Sequence, residues 1–326
     1  MEKNQIRKNL SIRLCIIGLL TLMFLSGCQQ RQAGLEHAED VRTIKIARQF
    51  GLAYAPLTIM EEKRLIELEN ENIEVEWVQL GNTAAIREAI LTDELDFGFM
   101  GIPPYLIGLE NGMDWQVFTG LSRAPLGLMT SQSSIEKLRD IEVADRIALP
   151  QPGSIQHILL AMAAQREMGK SDAFDSQLVS LKHPDGVQML TSGSDISLHF
   201  TSPPYIFEEE KRGMRQVISG EEAFGGPFTF IVGTVREQMA EDTESVLAIK
   251  NALEKSIDFM QENPEETLDI LSKAYGIETE TLKDYIYEKN MVYETDIKGM
   301  DTFIDFMIEA DYIHETIKEK PVIWEP

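Results

Sequence analysis

Cysteine is almost absent from this sequence. The 326 residues include only two cysteines, Cys15 and Cys28, both near the N-terminus. The chain beyond Cys28 therefore has no means of forming a disulfide framework or a cysteine-ligated metal site, and its length provides enough apolar core without them. Histidine is also scarce. Its spacing matches no ligand pattern, so no metal site is predicted at the five positions His37, His157, His183, His199 and His314.

Basic residues are few relative to acidic ones. Lysine and arginine total 30 against 54 aspartates and glutamates, and the formal net charge is −24 at pH 7. Nucleic acid and anionic lipid head groups should repel such a chain. We therefore expect neither of them to be a partner of this protein.

A long apolar run is missing as well. The run "LCIIGLLTLMFL", Leu14–Leu25, follows the basic residues Lys3, Arg7, Lys8 and Arg13 but has only 12 residues. A membrane-spanning helix needs about 20 apolar residues. A short apolar run behind positive charges is the layout of a secretory signal.

The signal ends in a recognisable motif. The residues "LSGC", Leu25–Cys28, resemble the lipobox of bacterial lipoproteins. The resemblance implies a signal peptide over residues 1–27, a lipidated Cys28 and an extracytoplasmic protein anchored to the bacterial cell membrane. Residues 28–42 have little apolar content and are expected to form a flexible tether. The alternatives are an uncleaved anchor, or an ordinary signal with a chance cysteine.

Strand and helix patterns alternate through the rest of the chain. The strands "TIKIA", "IEVEWVQL" and "DFGFMG" are each followed by a helical pattern, and the series repeats from "RIALP" onward. This alternation predicts an α/β fold whose sheets are mostly parallel and wrapped by helices. Glu74 and Glu76 indicate that their strand lies at a sheet edge. The last third, from about Glu237, is nearly all helical.

One short pattern occurs twice. "DFGFMGIPPY", Asp96–Tyr105, and "DISLHFTSPPY", Asp195–Tyr205, each consist of an aspartate, an apolar run and Pro-Pro-Tyr. Because the surrounding order of strands and helices also repeats, we expect two similar lobes. Pro104 and Pro204 suit the first position of a helix, where a missing N–H costs nothing. Each helix would then begin beyond the carboxyl end of a parallel strand, where ligands bind in open α/β sheets.

These residues carry a family resemblance. "QFGLAYAPLTIMEEKRL", "GNTAAIREAILTDELDFGFMGIPP" and "PQPGSIQHILL" resemble the substrate-binding components of ABC importers, in the nitrate/sulfonate/taurine group related to thiamine-pyrimidine-precursor binders. The resemblance implies a two-lobed periplasmic-binding-protein-like fold of type II. It also implies two crossings between lobes, placed at Leu121–Gly127 and Gly225–Phe230. Lobe 1 is expected over residues 43–122 and 228–326, with the C-terminal helices, and lobe 2 over residues 123–227.

The resemblance also implies a function. We expect a monomeric protein that captures a small solute and delivers it to an ABC permease and its ATPase. A sensor or adhesive lipoprotein with the same fold is the alternative. An enzyme that makes the thiamine pyrimidine is disfavoured, because such enzymes resemble one another in a cysteine-rich run that is missing here. No cofactor is expected.

The ligand should lie in the cleft between the lobes. Loops that follow strands and begin helices are expected to line it, although Asn82 and Ser154 would also suit as helix N-caps. His199, Tyr105 and Tyr205 are expected to pack within their own lobes. The predicted ligand-binding residues are Gln49, Tyr54, Asn82, Thr83, Gly101, Ile102, Gln151, Gly153, Ser154, His183, Thr201 and Ser202.

The chemistry of the ligand is the least determined feature. An acidic protein that binds an anion needs local positive potential, for which helix N-termini and the cations Arg48, Arg123 and Lys182 are the candidates. No bidentate arginine cluster is present in the predicted loops, which disfavours a doubly charged oxyanion. The aromatic residues Tyr54, Phe200 and Phe228 would suit a flat ring. We expect a small organic solute that is sulfonate-like, nitrate-like, taurine-like or pyrimidine-like.

Overall fold

The strands form two sheets, one of six strands and one of five. This arrangement is observed in a computed structural model that describes residues 41–193 and 195–326. The predicted signal peptide, the lipidation site Cys28 and all but the last two residues of the tether lie outside the described residues. Residues Arg42–Pro326 make up one compact unit.

The first sheet has the strand order β11-β4-β10-β3-β1-β2. Strand β1 pairs in parallel with β2 and β3, whereas β10 runs antiparallel to β3 and β4. Strand β2 lies at the edge, as Glu74 and Glu76 indicated. The strands are β1 (Arg42–Arg48), β2 (Ile73–Gln79), β3 (Phe97–Gly101), β4 (Trp115–Arg123), β10 (Ile231–Arg236) and β11 (Val292–Tyr293).

The second sheet has the strand order β7-β6-β8-β5-β9, which corresponds to the first sheet read from its β2 edge, β2-β1-β3-β10-β4. Its β6 pairs in parallel with β7 and β8, and β5 runs antiparallel to β8 and β9. Three parallel strands beside an antiparallel pair therefore occur in both sheets, so the similarity extends well beyond the short repeated motif. The strands are β5 (Gly127–Thr130), β6 (Ile147–Leu149), β7 (Leu178–Ser180), β8 (Leu198–Thr201) and β9 (Arg215–Ser219).

The chain changes sheet twice. It leaves the first sheet after β4 and enters the second at β5, then returns between β9 and β10. Both changes overlap the segments Leu121–Gly127 and Gly225–Phe230. The first strand after each change of sheet runs antiparallel to the parallel strands of the sheet that it enters. This strand is β5 in the second sheet and β10 in the first. The exact lobe boundaries remain a prediction.

Helices follow most of the strands, as the alternation predicted. Several begin or end at residues suited to the position: the side chains of Asn82, Ser154 and Asp242 cap N-termini, and Gly169 and Gly276 end helices with positive φ. The helices are α1 (Ala55–Lys63), α2 (Leu65–Glu69), α3 (Thr83–Leu91), α4 (Ile102–Glu110), α5 (Ile155–Met168), α6 (His183–Thr191), α7 (Tyr205–Lys211), α8 (Gly220–Phe224), α9 (Glu237–Ala240), α10 (Thr243–Glu262), α11 (Pro264–Tyr275), α12 (Thr279–Lys283) and α13 (Met300–Glu309).

The two Pro-Pro pairs occupy different helix positions, which corrects the expectation for both. Helix α4 begins at Ile102, so Pro103 and Pro104 occupy its second and third positions. Helix α7 begins only after Pro204, which is its N-cap. The first turn of α4 therefore contains two residues without an N–H group, and it offers fewer free donors than a helix with one N-terminal proline.

The C-terminal region packs against parts of the chain that follow strands of both sheets. The rings of Phe207 on α7 and Tyr285 lie 4.7 Å apart, and the Lys211 Nζ lies 4.5 Å from the Tyr285 ring centroid. A buried cluster includes these two aromatic residues together with Leu52, Ile206 and Leu282. The helical C-terminal segment therefore joins parts of the chain that belong to different sheets. No helix in the described ranges is both long and apolar enough to cross a membrane.

Candidate functional site

A cavity lies where loops from the carboxyl ends of both sheets meet. It spans about 690 Å³ of space between atoms, counting the open solvent at its mouth. Loops after β1, β2 and β3 form one wall, and loops after β6, β7 and β8 form the other. The lining residues are Gln49, Phe50, Tyr54, Gly81, Asn82, Thr83, Gly101, Pro104, Pro150, Gln151, Ser154, Ile155, Gln156, Lys182, His183, Pro184, Ser202, Phe230 and Ile231.

The structure brings nine of the twelve predicted site residues to this one cavity. Their role in binding a ligand stays a prediction, but their convergence from separate loops follows from the shared edge of each sheet. The nine are Gln49, Tyr54, Asn82, Thr83, Gly101, Gln151, Ser154, His183 and Ser202.

The other three predicted residues do not line the cavity. Ile102 is fully buried in the main hydrophobic cluster, because it is the first residue of α4 and faces the core. Gly153 donates its N–H to His157 Nδ1 over 3.0 Å and so connects the loop to the first turn of α5. Thr201 is fully buried, and its Oγ1 lies 3.4 Å from His183 Nδ1, so it contacts the cavity only through His183.

Asn82 and Ser154 are helix N-caps that also line the cavity. Asn82 Oδ1 accepts the backbone N–H of Ala85 over 3.0 Å, and Ser154 Oγ accepts that of His157 over 3.4 Å. Both residues also line the cavity. The N-termini of α3 and α5 therefore point at the cavity, one from each wall, and their positive dipole ends favour an anion or a hydrogen-bond acceptor.

Gln49 is held in place by the first wall. Its Nε2 lies 3.2 Å from Thr83 Oγ1 and donates to the carbonyl oxygen of Phe99 over 3.3 Å. The loop that follows it is fixed from the C-terminal region, where Tyr293 donates its hydroxyl to the Leu52 carbonyl over 2.9 Å. Residues far apart in sequence therefore position this wall, which sequence patterns did not indicate.

Sequence reasoning missed part of the lining. Gln156 follows the N-cap Ser154 by two residues, so its position in the first turn of α5 was a usable signal. Phe230 and Ile231 reach the cavity from the chain's return to the first sheet, at the end of the predicted crossing Gly225–Phe230. Of the aromatic residues suggested for a flat ring, only Tyr54 lines the cavity. Phe200 is a core residue of β8, and Phe228 lies in the segment that returns to the first sheet, with its ring centroid 5.8 Å from that of Phe303.

Lys182 is the only lysine or arginine among the described residues that line the cavity, and these residues include no aspartate or glutamate. Arg48 forms an ion pair with Glu61 instead. Arg123 pairs with Glu294, with its Nε 2.6 Å from Glu294 Oε1. It lies beside a separate hollow where the chain crosses between the sheets. Of the three cations expected near the ligand, Arg48 and Arg123 therefore form ion pairs outside the cavity. The cavity nevertheless has a positive bias within an acidic protein.

His183 connects the cavity to a buried polar chain. His183 Nδ1 lies 3.1 Å from His199 Nε2, and His199 Nδ1 lies 2.5 Å from Glu209 Oε1. On the cavity side, His183 Nε2 is 3.2 Å from Gln156 Nε2 and 3.4 Å from Ser202 Oγ. His199 and Glu209 have no exposed surface. His199 packs within its lobe as expected, but through a polar chain that the sequence did not reveal.

Burial controls the ionisation of this chain. Desolvation lowers the pKa of His199 to about 3, and it lowers the pKa of His183 well below its ordinary value, with the neighbouring His199 adding to the effect. Desolvation raises the pKa of Glu209 to about 9, with a further contribution from Glu208 and an opposing one from Arg212. Both imidazoles are therefore neutral at pH 7, and the carboxyl group holds a proton.

The described residues contain no group of three or more histidine, cysteine, aspartate or glutamate side chains arranged to hold a metal ion. The glutamate and histidines of the buried chain are joined in a line rather than around a common point. The hydrogen-bond donors, the positive dipole ends of the helix N-termini and the apolar side chains of the cavity suit binding of a small ligand.

The fold is that of the two-lobed periplasmic binding proteins. The chain belongs to the NMT1/THI5-like family, whose model matches residues 68–267. No curated protein matches the sequence.

Solved structures of sulfonate- and nitrate-binding proteins have the same fold. The alkanesulfonate-binding protein SsuA from Xanthomonas axonopodis pv. citri, bound to MOPS, is 17% identical with a TM-score of 0.72, and the match covers 86% of this chain and 96% of that one. The aliphatic sulphonate binding protein SsuA from Escherichia coli is 18% identical, with a TM-score of 0.69 and coverage of 87% and 92%. The nitrate-binding protein NrtA from Synechocystis PCC 6803 is 16% identical, with a TM-score of 0.66 and coverage of 85% and 83%.

Proposed function

We propose that this protein is the solute-binding component of an ABC importer and that it binds a small organic monoanion, such as an aliphatic sulfonate, in the cavity between its two sheets. The observation that carries the proposal is the cavity wall: two helix N-termini, Lys182 and His183 meet there without a carboxylate. The fold neighbours named above bind sulfonate or nitrate, which supports the choice of class.

The proposal includes a hinge motion. Residues 43–122 with 228–326 would form one lobe and residues 123–227 the other, and the lobes would close by rotating about Leu121–Gly127 and Gly225–Phe230. The contacts between Tyr285 and Phe207 limit the motion, because the C-terminal region touches α7 as well as its own lobe. Small-angle scattering of the free and ligand-bound protein should show a smaller radius of gyration in the bound form.

The protein would act outside the cell membrane. We infer lipidation of Cys28 from the lipobox-like motif, and anchoring would hold the monomeric binding protein near its permease and ATPase. Sensor or adhesive lipoproteins with this fold would bind a solute in the same way. A deletion strain distinguishes them, because only loss of an importer component abolishes uptake of the radiolabelled solute.

The ligand class is tested by a thermal-shift screen of the purified protein against aliphatic sulfonates, taurine, nitrate, and precursors of thiamine and riboflavin. A ligand that binds only the folded state raises the melting temperature as its concentration exceeds the dissociation constant. Stabilisation by ethanesulfonate or a homologue is the expected result. Stabilisation by a neutral pyrimidine alone would overturn the choice of an anion, and no stabilisation by any of these solutes would overturn the proposed function.

A further inference from the structure

The hydrogen-bonded line of His183, His199 and Glu209 has a specific consequence for how the cavity recognises a ligand. The three side chains come from the start of α6, from β8 and from α7, and they form an unbroken line from the core to the cavity. Only His183 reaches the cavity wall. The two buried members touch no solvent, so whatever proton they hold affects the cavity through the His183 ring.

The number of protons in this line determines what His183 presents to the cavity. Each of the two links, Glu209 to His199 and His199 to His183, holds one proton between its heavy atoms. With no further proton the line has a charge of −1, both imidazoles are protonated at Nδ1, and His183 Nε2 is a bare acceptor. With one more proton the line is neutral, both imidazoles are protonated at Nε2, and His183 Nε2–H is a donor. In that state the Gln156 side-chain amide, which lies 3.2 Å from His183 Nε2, presents its oxygen rather than its nitrogen to His183.

Burial decides between these two states. A carboxylate without solvent contact needs compensating hydrogen bonds or a cation. Glu209 Oε2 has no hydrogen-bond partner among the described residues, and Oε1 contacts only the neutral His199. The neutral line, in which the Glu209 carboxyl donates to His199 Nδ1, leaves no buried charge. The raised pKa of Glu209 has the same physical cause.

The surrounding charges do not reverse this preference. Glu208 raises the pKa of Glu209 while Arg212 lowers it, and these two side chains approach each other, with Arg212 Nη2 3.9 Å from Glu208 Oε2. The Tyr205 ring stacks on His183 at 5.5 Å. The other charged side chains nearby are exposed: Lys182 and Asp185 beside His183, and Arg215 on β9.

We propose that Glu209 and His199 hold a proton in place so that His183 presents its Nε2–H to the cavity as a hydrogen-bond donor, and that this donor makes the site selective for an anionic acceptor. His183 is the residue that contacts the ligand, and Glu209 and His199 are positioning residues that act through it. This inference rests on the proposed function for the identity of the ligand, but the state of the line can be measured without one.

The line also makes binding depend on pH. Removing the extra proton converts the donor into an acceptor and leaves a negative charge beside the anion, so the anion binds the protonated line. Affinity is then constant below the pKa of the line and falls about tenfold for each pH unit above it, because binding takes up one proton. The alkaline region above about pH 9 is where the fall begins.

Glu209→Gln is the decisive variant. The glutamine amide has the shape of the carboxyl group and donates to His199 Nδ1 as the protonated acid does, but it does not titrate. It should keep the affinity measured at neutral pH within about threefold and abolish the alkaline fall. Glu208→Gln, one residue away and partly exposed, is the matched control and should behave as the unaltered protein does.

The experiment uses the full-length chain labelled with ¹⁵N-histidine, without a ligand. At about pH 7 the nitrogen shifts of His183 and His199, assigned with His183→Gln and His199→Gln, should report Nε2–H tautomers with bare Nδ1 atoms. Raising the pH to about 10.5 should convert them to Nδ1–H tautomers in the unaltered protein but not in Glu209→Gln. Nδ1–H tautomers at neutral pH, or the same alkaline transition in Glu209→Gln, would overturn the proposal.

A second arm separates this proposal from the proposed function. Ethanesulfonate and nitrate are titrated calorimetrically at about pH 7 and about pH 10 against the unaltered protein and Glu209→Gln. A fall in affinity restricted to the unaltered protein supports both proposals. Failure of both anions to bind, with the tautomers as expected, would refute the anion ligand alone. Equal affinity at the two pH values would refute the selectivity of the His183 donor even if the tautomers were correct.

Discussion

The backbone N–H of Leu52 donates a hydrogen bond to the carbonyl oxygen of Pro203 over 3.1 Å. Leu52 belongs to the loop after the first strand of one sheet, and Pro203 follows a strand of the other. The bond therefore joins the two walls of the cavity directly. Gly51 makes this approach possible, because its φ is 121° and a Cβ atom there would lie 3.0 Å from the same Pro203 oxygen.

Gly51→Ala should therefore weaken ligand binding by about tenfold or more, since the added methyl group separates the walls that enclose the ligand. Gly169→Ala is the matched control. Gly169 also has positive φ, 72°, but a Cβ there meets nothing within 4 Å. Gly169→Ala should lose about 1 kcal/mol of stability in denaturant unfolding, because alanine is strained in the left-handed region. Gly51→Ala should lose more, because φ 121° with ψ 161° is a conformation that essentially only glycine adopts, and only Gly51→Ala should lose affinity by calorimetry. Unchanged affinity in Gly51→Ala would show that the contact with Pro203 is not needed for binding.

Two serine N-caps separate stability from binding. Ser154 caps α5 and lines the cavity, whereas Ser219 caps α8 and lines the separate hollow beside Arg123. Replacing either with alanine should destabilise the protein by about 1 kcal/mol, because each loses a helix cap. Ser154→Ala should also reduce affinity for the ligand several-fold, and Ser219→Ala should not. Equal affinities in the two variants would contradict the assignment of the cavity as the binding site.

Lys182 should govern the salt dependence of binding. Its side chain extends toward the opposite wall, where a Cβ on Gly81 would lie 3.4 Å from Lys182 Cε. Lys182→Gln should lower the affinity for an anion about five- to twentyfold and flatten its dependence on ionic strength. Lys170→Gln is the control, because Lys170 is an exposed residue paired with Asp172 away from the cavity. Stopped-flow measurements at several salt concentrations would detect the difference, and identical curves would rule out a role for Lys182.

The Glu209 carboxyl should make stability depend on pH. Its pKa is raised in the folded state to about 9 from an ordinary value of 4.5, so the folded protein binds more protons than the unfolded chain between these values. Stability is then greatest below about pH 4.5 as far as this group is concerned, and it declines as pH rises toward about 9. Denaturant unfolding should show Glu209→Gln gaining stability relative to the unaltered protein over this window. Glu208→Gln should show no such trend, and parallel curves for all three proteins would contradict the raised pKa.

Cys28 should determine membrane attachment. Each buried CH₂ group of an acyl chain contributes about 0.8 kcal/mol, and two or more chains give stable anchoring. Cys28→Ala should release the protein into the soluble fraction after cell lysis, whereas Cys15→Ala should leave the mature protein anchored. Metabolic labelling with palmitate followed by fractionation measures both effects. A Cys28→Ala protein that remained wholly with the membranes would refute lipidation at this site.

Local sequence patterns predicted the elements and most of the cavity loops because the causes are local. The alternation of strand and helix patterns predicted β1, β2 and β3. The N-caps Asn82 and Ser154 begin their helices, and helix N-termini after parallel strands necessarily collect at one sheet edge. Predicted residues fall outside the cavity lining where contacts at long range decide. Ile102 became part of the core, and the side chain of Thr201 turned to His183 rather than to the cavity.

The sequence by itself determined that this is an α/β protein with two similar halves, a signal-like N-terminus and no cysteine chemistry beyond it. Only the tertiary structure decided which charges face the cavity. Arg48 is paired with Glu61, and Lys182 lines the cavity. Glu209 is linked to the cavity through His199 and His183. The reason is physical: secondary structure depends on neighbours along the chain, whereas burial, ion pairing and proton position depend on which strands and helices the fold places side by side.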